Sequence, residues 1–196
     1  RVLGRRTGNE KKPGFGFSFD AKVLDKNSNN IKEIKINKEH ILNSLKKYKN
    51  LDKNGDLKRI YILSPNFSPK KFLKGAKDAF EIIVAAYAKG NLKKVKDLLS
   101  PNIFKTFSNI SNQRIKKKQT LENTLISFKS EEIKRIILKS TIAEIAVRFV
   151  TEQVNLLKNN KGQTIEGNND YIENHIDYWI FSKDLKFSNP NWKLIV

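Results

Sequence analysis

The feature that most limits what this chain can fold into is a change of texture at residue 121. Residues 68 to about 118 carry apolar stripes of helical period, whereas from Leu121 onward the chain runs in long stretches of β-branched and aromatic residues. Helices followed by consecutive strands, with no βαβ alternation, predict an antiparallel sheet with its helices segregated on one face. The fold class is therefore α+β.

The helical part is punctuated twice by the same device. Ser68-Pro69 and Ser100-Pro101 each put a capping hydroxyl ahead of a proline at the first helical position. After the first pair, Phe72, Ala76, Phe80, Ile83 and Tyr87 form a stripe with Leu73 and Val84 alongside, which predicts a helix to about Lys89 that stops at Gly90. Asn91 is expected to cap a short second helix bearing Leu92, Val95, Leu98 and Leu99, and a third carries Ile103, Phe104, Phe107 and Ile110. Strands are expected over about 124–139, 141–157, 171–185 and 192–196, with Gly162 and Gly167 in a polar turn. Strands of roughly 12 to 17 residues greatly exceed the usual 5 or 6, so they must bend or bulge. A strongly curved sheet wrapped around helices makes a cone with a cavity.

Ahead of this domain, taken as 67–196, the chain divides in two. Residues 1–19 mix basic residues with four Gly and a Pro, the composition of an arm or linker. Residues 20–66 read as an N-terminal helical extension. Its strongest signal is an amphipathic helix around Asn37–Lys49, with Ile41, Leu42, Leu45 and Tyr48 on one stripe. The Asn54-Gly55-Asp56 sequence marks a turn, and Arg59–Leu63 is a short extended or helical link.

Charge is the second constraint. The chain has a net charge of +19, which calls for an anionic partner such as phosphate, nucleic acid or a lipid surface. The excess is one-sided: 16 basic against 7 acidic residues in 1–66, 13 against 3 in 67–120, and 10 of each in 121–196. Because 32 of the 39 basic residues are Lys, an A-rich genome explains part of the excess, but codon bias does not leave the last third neutral. Arg1, Arg5, Arg6, Lys11 and Lys12 suit a position just inside a membrane, where basic residues are drawn to anionic headgroups. Lys38, Lys46, Lys47 and Lys49 surround the amphipathic stripe and suit a membrane interface. A helix packed on its own domain is the commoner use of such a stripe.

Several chemistries are not expected. The chain has no Cys and two His, so a thiolate metal site, a disulfide and a cysteine nucleophile are excluded and no metal cluster is visible. No Gly-rich phosphate loop occurs, since the GFGF at 14–17 is not followed by a helix. His175 and Asp177 stand two apart on a predicted strand and share a face with Trp179 and Phe181. An Asp-oriented His is a plausible base, but no second acid or oxyanion donor can be placed beside it. No catalytic residue, metal or cofactor is assigned, and the chain is read as non-enzymatic. The aromatic residues are core in the first instance. Phe72, Phe80, Ile83, Tyr87, Phe104, Phe107, Phe149, Trp179 and Phe181 are the candidates to line an apolar pocket in the cone.

Taken together, FSPKKFLKGAKDAFEIIVAAYAKGNLKKVKDLLSPNIFKTF at 67–107, VRFVTEQVNL at 147–156 and DYWIFSKDLKFSNPNWKLI at 177–195 resemble the Tim44-like domain family. That family includes the C-terminal domain of the mitochondrial import-motor subunit, a mitoribosomal branch and bacterial membrane-anchored homologues. The resemblance implies a nuclear-transport-factor-two-like cone, peripheral association with an inner membrane and affinity for anionic lipid such as cardiolipin. Bacterial members begin with a transmembrane helix followed by a basic segment like VLGRRTGNE at 2–10. No apolar run here approaches the roughly 18 residues a span needs. The absence of Met and the start at Arg1 therefore lead to the expectation of an anchor upstream, with the domain at the cytoplasmic face of a bacterial inner membrane. Too few residues precede 67 to hold the mitochondrial protein's long N-terminal region, so the resemblance leaves open whether chaperone tethering is retained. The expected role is an adaptor that recruits a protein partner (a translocase, a chaperone or an envelope complex) to an anionic phospholipid membrane, in protein transport, insertion or envelope assembly. A ribosome or RNA tether and a lipid- or small-molecule-binding cone are the alternatives.

Overall fold

The computed structural model describes residues 38–52, 54–187 and 191–196. Four α-helices come first: α1 (Lys38–Lys47), α2 (Asp56–Leu63), α3 (Pro69–Ala88) and α4 (Pro101–Lys116), with a 3-10 helix at Leu92–Leu98 between the last two. Five strands follow: β1 (Thr120–Lys139), β2 (Ile142–Lys158), β3 (Thr164–Glu166), β4 (Glu173–Asp184) and β5 (Lys193–Leu194). They form one antiparallel sheet of order β1-β2-β4-β5, with β3 also paired to β2. This is the expected α+β cone, with helices packed on a strongly curved sheet.

Local chemistry sets the helix ends. The Ser68 and Ser100 hydroxyls accept from the amides of Lys71 at 3.3 Å and Ile103 at 3.4 Å, each with a proline opening the helix. Beyond the α3 C-terminus, Gly90 adopts φ +69, and a Cβ there would lie 3.1 Å from Ser111 Oγ of α4. Glycine thus supplies both the left-handed turn and the room for α4 to approach.

Three segments differ from, or add to, the sequence reading. The link at 59–63 is the body of α2, whose Leu57, Ile60 and Tyr61 are buried. The Asp52 carboxylate accepts from the Leu57 amide at 3.0 Å, supplying from five residues away the cap that left-handed Gly55 cannot. The short segment after Gly90 is a 3-10 helix, and the Asn91 side chain makes no capping bond. Its buried Leu92, Val95 and Leu98 recur every three residues, and a three-residue turn eclipses them on one side. Within the polar turn lies the short strand β3, paired to Leu157 and Lys158. Asn159 makes that return possible, because its Oδ1 accepts from the amides of Lys161 at 2.9 Å and Gln163 at 3.0 Å.

The 20-residue β1 bends at register shifts between Leu125 and Ser127, Phe128 and Ser130, and Ile133 and Arg135, the irregularities that its length demanded. The concave face of β2 presents Ala143, Ile145, Val147 and Phe149, all fully buried. α3 answers with Ala76, Ala79, Phe80 and Ile83, also buried. Phe80 stacks on Trp179 of β4 with centroids 4.3 Å apart and planes inclined by 23°. Phe72 sits edge-on between Phe181 at 5.3 Å and Trp192 at 4.9 Å. Each such side chain contributes about 1.5–3 kcal/mol through burial, with about 0.5–1.5 kcal/mol more for favourable ring geometry. The Ser100 amide donates to the Leu194 carbonyl at 2.7 Å, tying the start of α4 to β5.

Candidate functional site

The inner face of the sheet changes character along its length. On β2 the buried run Ala143–Phe149 gives way, at the same two-residue spacing, to Thr151, Gln153 and Asn155. On β4, Phe181 and Trp179 give way to Asp177, His175 and Glu173. The register places Phe149 opposite Asp177, Thr151 opposite His175 and Gln153 opposite Glu173. The alternation of each strand therefore gathers its polar residues at one end of the concavity.

These side chains form a connected ladder. Gln153 Nε2 donates to Thr151 Oγ1 at 2.7 Å, and Asn123 Nδ2 of β1 donates to both Gln153 Oε1 and Asn155 Oδ1 at 2.6 Å. Asn155 Nδ2 lies 3.1 Å from His175 Nε2, which in turn is 3.0 Å from Glu173 Oε2. Thr151 and Gln153 are buried, so the ladder satisfies polar groups that would otherwise be costly to remove from water.

Over this floor lies a cavity of about 260 Å³. Its walls are Phe80, Val84 and Tyr87 of α3, Phe107 and Ile110 of α4, and Trp179 of β4, with Gln153, Asn155, His175 and Asp177 completing the lining. Tyr87 is held from two sides: Phe107 lies 5.0 Å from its ring, and Arg114 lies over the ring at 4.4 Å while donating to the Tyr87 carbonyl at 2.5 Å. Burial pushes the Asp177 carboxyl above the usual aspartate range, with His175 pulling it back. Three larger depressions, of about 440, 420 and 680 Å³, are lined mainly by polar or exposed side chains. They lack the combination of aromatic walls and convergent polar groups that marks a binding cavity.

Of the nine aromatic and aliphatic candidates, Phe80, Tyr87, Phe107 and Trp179 line the cavity. Phe72, Ile83, Phe149 and Phe181 pack into the core beyond it, and Phe104 is half-buried with Lys96 Nζ 5.7 Å from its ring. His175, Asp177 and Trp179, grouped on one face by their spacing, do converge on the cavity. Gln153 and Asn155 were missed, although their spacing from Phe149 along one strand face carried the signal. In the sequence pattern Val84 stands only as a flank of the helical stripe.

The basic candidates are placed differently. Arg1, Arg5, Arg6, Lys11 and Lys12 lie outside the described residues, as does the Lys38 side chain. Lys46, Lys47 and Lys49 are exposed at and just after the C-terminal end of α1. Exposed lysines continue over the helical layer at Lys70, Lys71 and Lys74 of α3, Lys93, Lys94 and Lys96 of the 3-10 helix, and Lys116–Lys118 at and just after the end of α4. Among the described residues, none of the lysines of α3, the 3-10 helix or α4 forms an ion pair. The sheet instead pairs its charges internally, as Lys129–Glu152 at 2.7 Å, Arg148–Glu132 at 3.9 Å, Lys139–Glu144 at 3.3 Å and Lys158–Glu122 at 2.7 Å.

Residues 54–196 match the Tim44-like domain. The chain belongs to the Tim44-like domain family. The match takes in α2, whose Leu57 and Ile60 are buried in the same core as the Tim44-like helices α3 and α4. Among curated proteins, none matches the chain by sequence. Among solved structures, the intermembrane space region of the chloroplast protein ARC6 is similar at 11% identity, covering 59% of this chain and 83% of that one with a TM-score of 0.41. A likeness at that level carries no weight for the function of the Tim44-like chain.

Proposed function

We propose that this Tim44-like protein is a membrane-associated adaptor. It holds a partner protein at the cytoplasmic face of a bacterial inner membrane, in protein transport, insertion or envelope assembly, and has no catalytic step of its own. The observation that carries this reading is the segregation of charge: among the described residues the lysines of α3, the 3-10 helix and α4 form no ion pair and, Lys77 apart, are exposed, while the sheet pairs much of its charge internally. A surface of that kind is attracted to anionic lipid by about 1 kcal/mol per basic residue close to the headgroups.

Two surface features support the division of labour. On α1, Leu42 is 57% exposed and lies one turn before Lys46 on the same flank; α2 adds Ile62 at 70% exposure. An exposed apolar residue beside a lysine suits insertion at the headgroup boundary. On the outer face of the sheet, Ile176 and Tyr178 are exposed beside half-buried Val150 and Ile180. An apolar area framed by charges already paired suits contact with a protein rather than with lipid. Among the described residues no helix is long and apolar enough to cross a membrane.

Vesicle flotation tests the reading against the ribosome or RNA alternative. With cardiolipin-containing vesicles the chain is expected to float at low salt and to stay partly bound as salt rises, because apolar burial is not screened. Binding to RNA without lipid, lost steeply with salt, together with no flotation, would replace the membrane reading. Crosslinking in intact cells then identifies the partner, with the substitution Tyr178→Glu expected to remove its crosslink while leaving flotation intact.

A further inference from the structure

The cavity above the polar ladder has a chemistry opposite to that of the chain that contains it. Lys and Arg make up 39 of the 196 residues, yet neither appears in the lining, where Asp177 is the one carboxylate. A second carboxylate, Glu173, stands behind His175 at 3.0 Å. Facing these are the rings of Tyr87, Phe107 and Trp179.

A carboxylate partly removed from water gains most from a guest that both donates hydrogen bonds and carries the opposite charge. Aromatic walls favour the same guest, because a cation is attracted to ring faces and its hydrocarbon part to their area. A neutral alcohol satisfies only the hydrogen bond, and a carboxylic acid places like charge against Asp177. Arg114 lies over Tyr87 and is engaged with its carbonyl, outside the lining, and the one basic residue within it, His175, is itself paired with Glu173 at 3.0 Å.

We infer that the cavity between α3, α4 and β4 is a binding site for a small organic ammonium, a ring-bearing primary amine whose charge meets Asp177 and whose ring lies among Tyr87, Phe107 and Trp179. The inference does not depend on the adaptor reading, since none of the residues lining the cavity belongs to the lysine-bearing or outer-sheet surfaces that reading uses.

The test is an NMR titration of the full chain with phenethylamine, 2-phenylethanol and 3-phenylpropionate at neutral pH. Phenethylamine is expected to bind at least about tenfold more tightly than the alcohol, the scale of a charge-assisted over a neutral hydrogen bond, and the acid to bind least. Asp177→Asn is expected to bring amine and alcohol within about twofold of each other, since the charge term is removed while shape is kept. Ile110→Trp, which fills the cavity from α4, is expected to abolish binding of all three, with a folded spectrum as the control. Absence of amine binding by the wild-type chain, equal binding of amine and alcohol, or retention of the amine preference in Asp177→Asn overturns the inference.

Discussion

The helical layer and the sheet solve the same problem of charged surface in opposite ways. The sheet places acidic and basic residues across from one another, and the Glu152 carboxyl is held below the usual glutamate range by bonds from Lys129 and Ser127. The helices place lysine beside lysine: Lys70, Lys71 and Lys74 crowd the first turns of α3, and Lys93, Lys94 and Lys96 follow in the 3-10 helix. Like charges at such spacing cost a few tenths of a kcal/mol per pair, which a merely structural layer has no reason to bear. On the adaptor reading proposed above, the difference separates a surface that is complete from one suited to an anionic counterpart.

The two layers are joined by rings, so the largest effect is expected there. Phe80→Ala removes the stack on Trp179 and the wall it shares with the cavity. It should lower stability by about 3–5 kcal/mol in urea denaturation; a loss below about 1 kcal/mol would mean that the layers do not depend on this contact. Next comes the contrast itself. Replacing Lys70, Lys71 and Lys74 together by Glu should weaken binding to cardiolipin vesicles by about a hundredfold or more with little change in thermal midpoint. The same number of reversals among Lys129, Lys134 and Lys139 of the sheet should disturb stability more than lipid affinity.

How much of this was legible in sequence follows the range of the forces involved. The Ser-Pro starts of α3 and α4 were readable because a cap and a proline act within one turn. The cone itself followed from strand length, since a run such as β1 cannot stay straight in a small domain. The 3-10 geometry at Leu92–Leu98 was not readable, because the same leucine and valine spacing also fits an α-helix until Gly90 and Ser100 fix the available length. The membership of the cavity was half readable. Spacing alone put His175, Asp177 and Trp179 on one face, but which phenylalanines meet them depends on the β2–β4 register and the seat of α3, and neither is local.

Smaller effects refine the comparison. Ser100→Ala removes the hydroxyl that caps α4 and should cost about 1 kcal/mol, read as a lower urea midpoint with an unchanged slope. At Gly167, φ is +90 and a Cβ would fall 1.9 Å from the Asn155 carbonyl oxygen. Gly167→Ala should therefore lift β3 off β2, seen as faster amide exchange at 155–158 and 164–166 while the core amides of β2 stay protected. The smallest effect is at Asp177. Because burial raises its pKa in the folded state, the ionised carboxylate is a cost that appears as pH rises through the window between the ordinary and the raised value, and is absent below it. Asp177→Asn should accordingly be slightly more stable than the wild type at neutral pH and equal to it in acid; a destabilised variant at neutral pH would show that the carboxylate is held by partners rather than exposed to desolvation.

The claim that one layer meets the membrane is tested most directly by lysine acylation of the full chain, mapped by mass spectrometry with and without cardiolipin vesicles. The account predicts that Lys46, Lys70, Lys71, Lys74, Lys93 and Lys94 lose reactivity on vesicles while Lys129, Lys134, Lys139 and Lys161 keep theirs. Protection of the sheet lysines, or equal reactivity of both groups on vesicles that retain the protein, would contradict it.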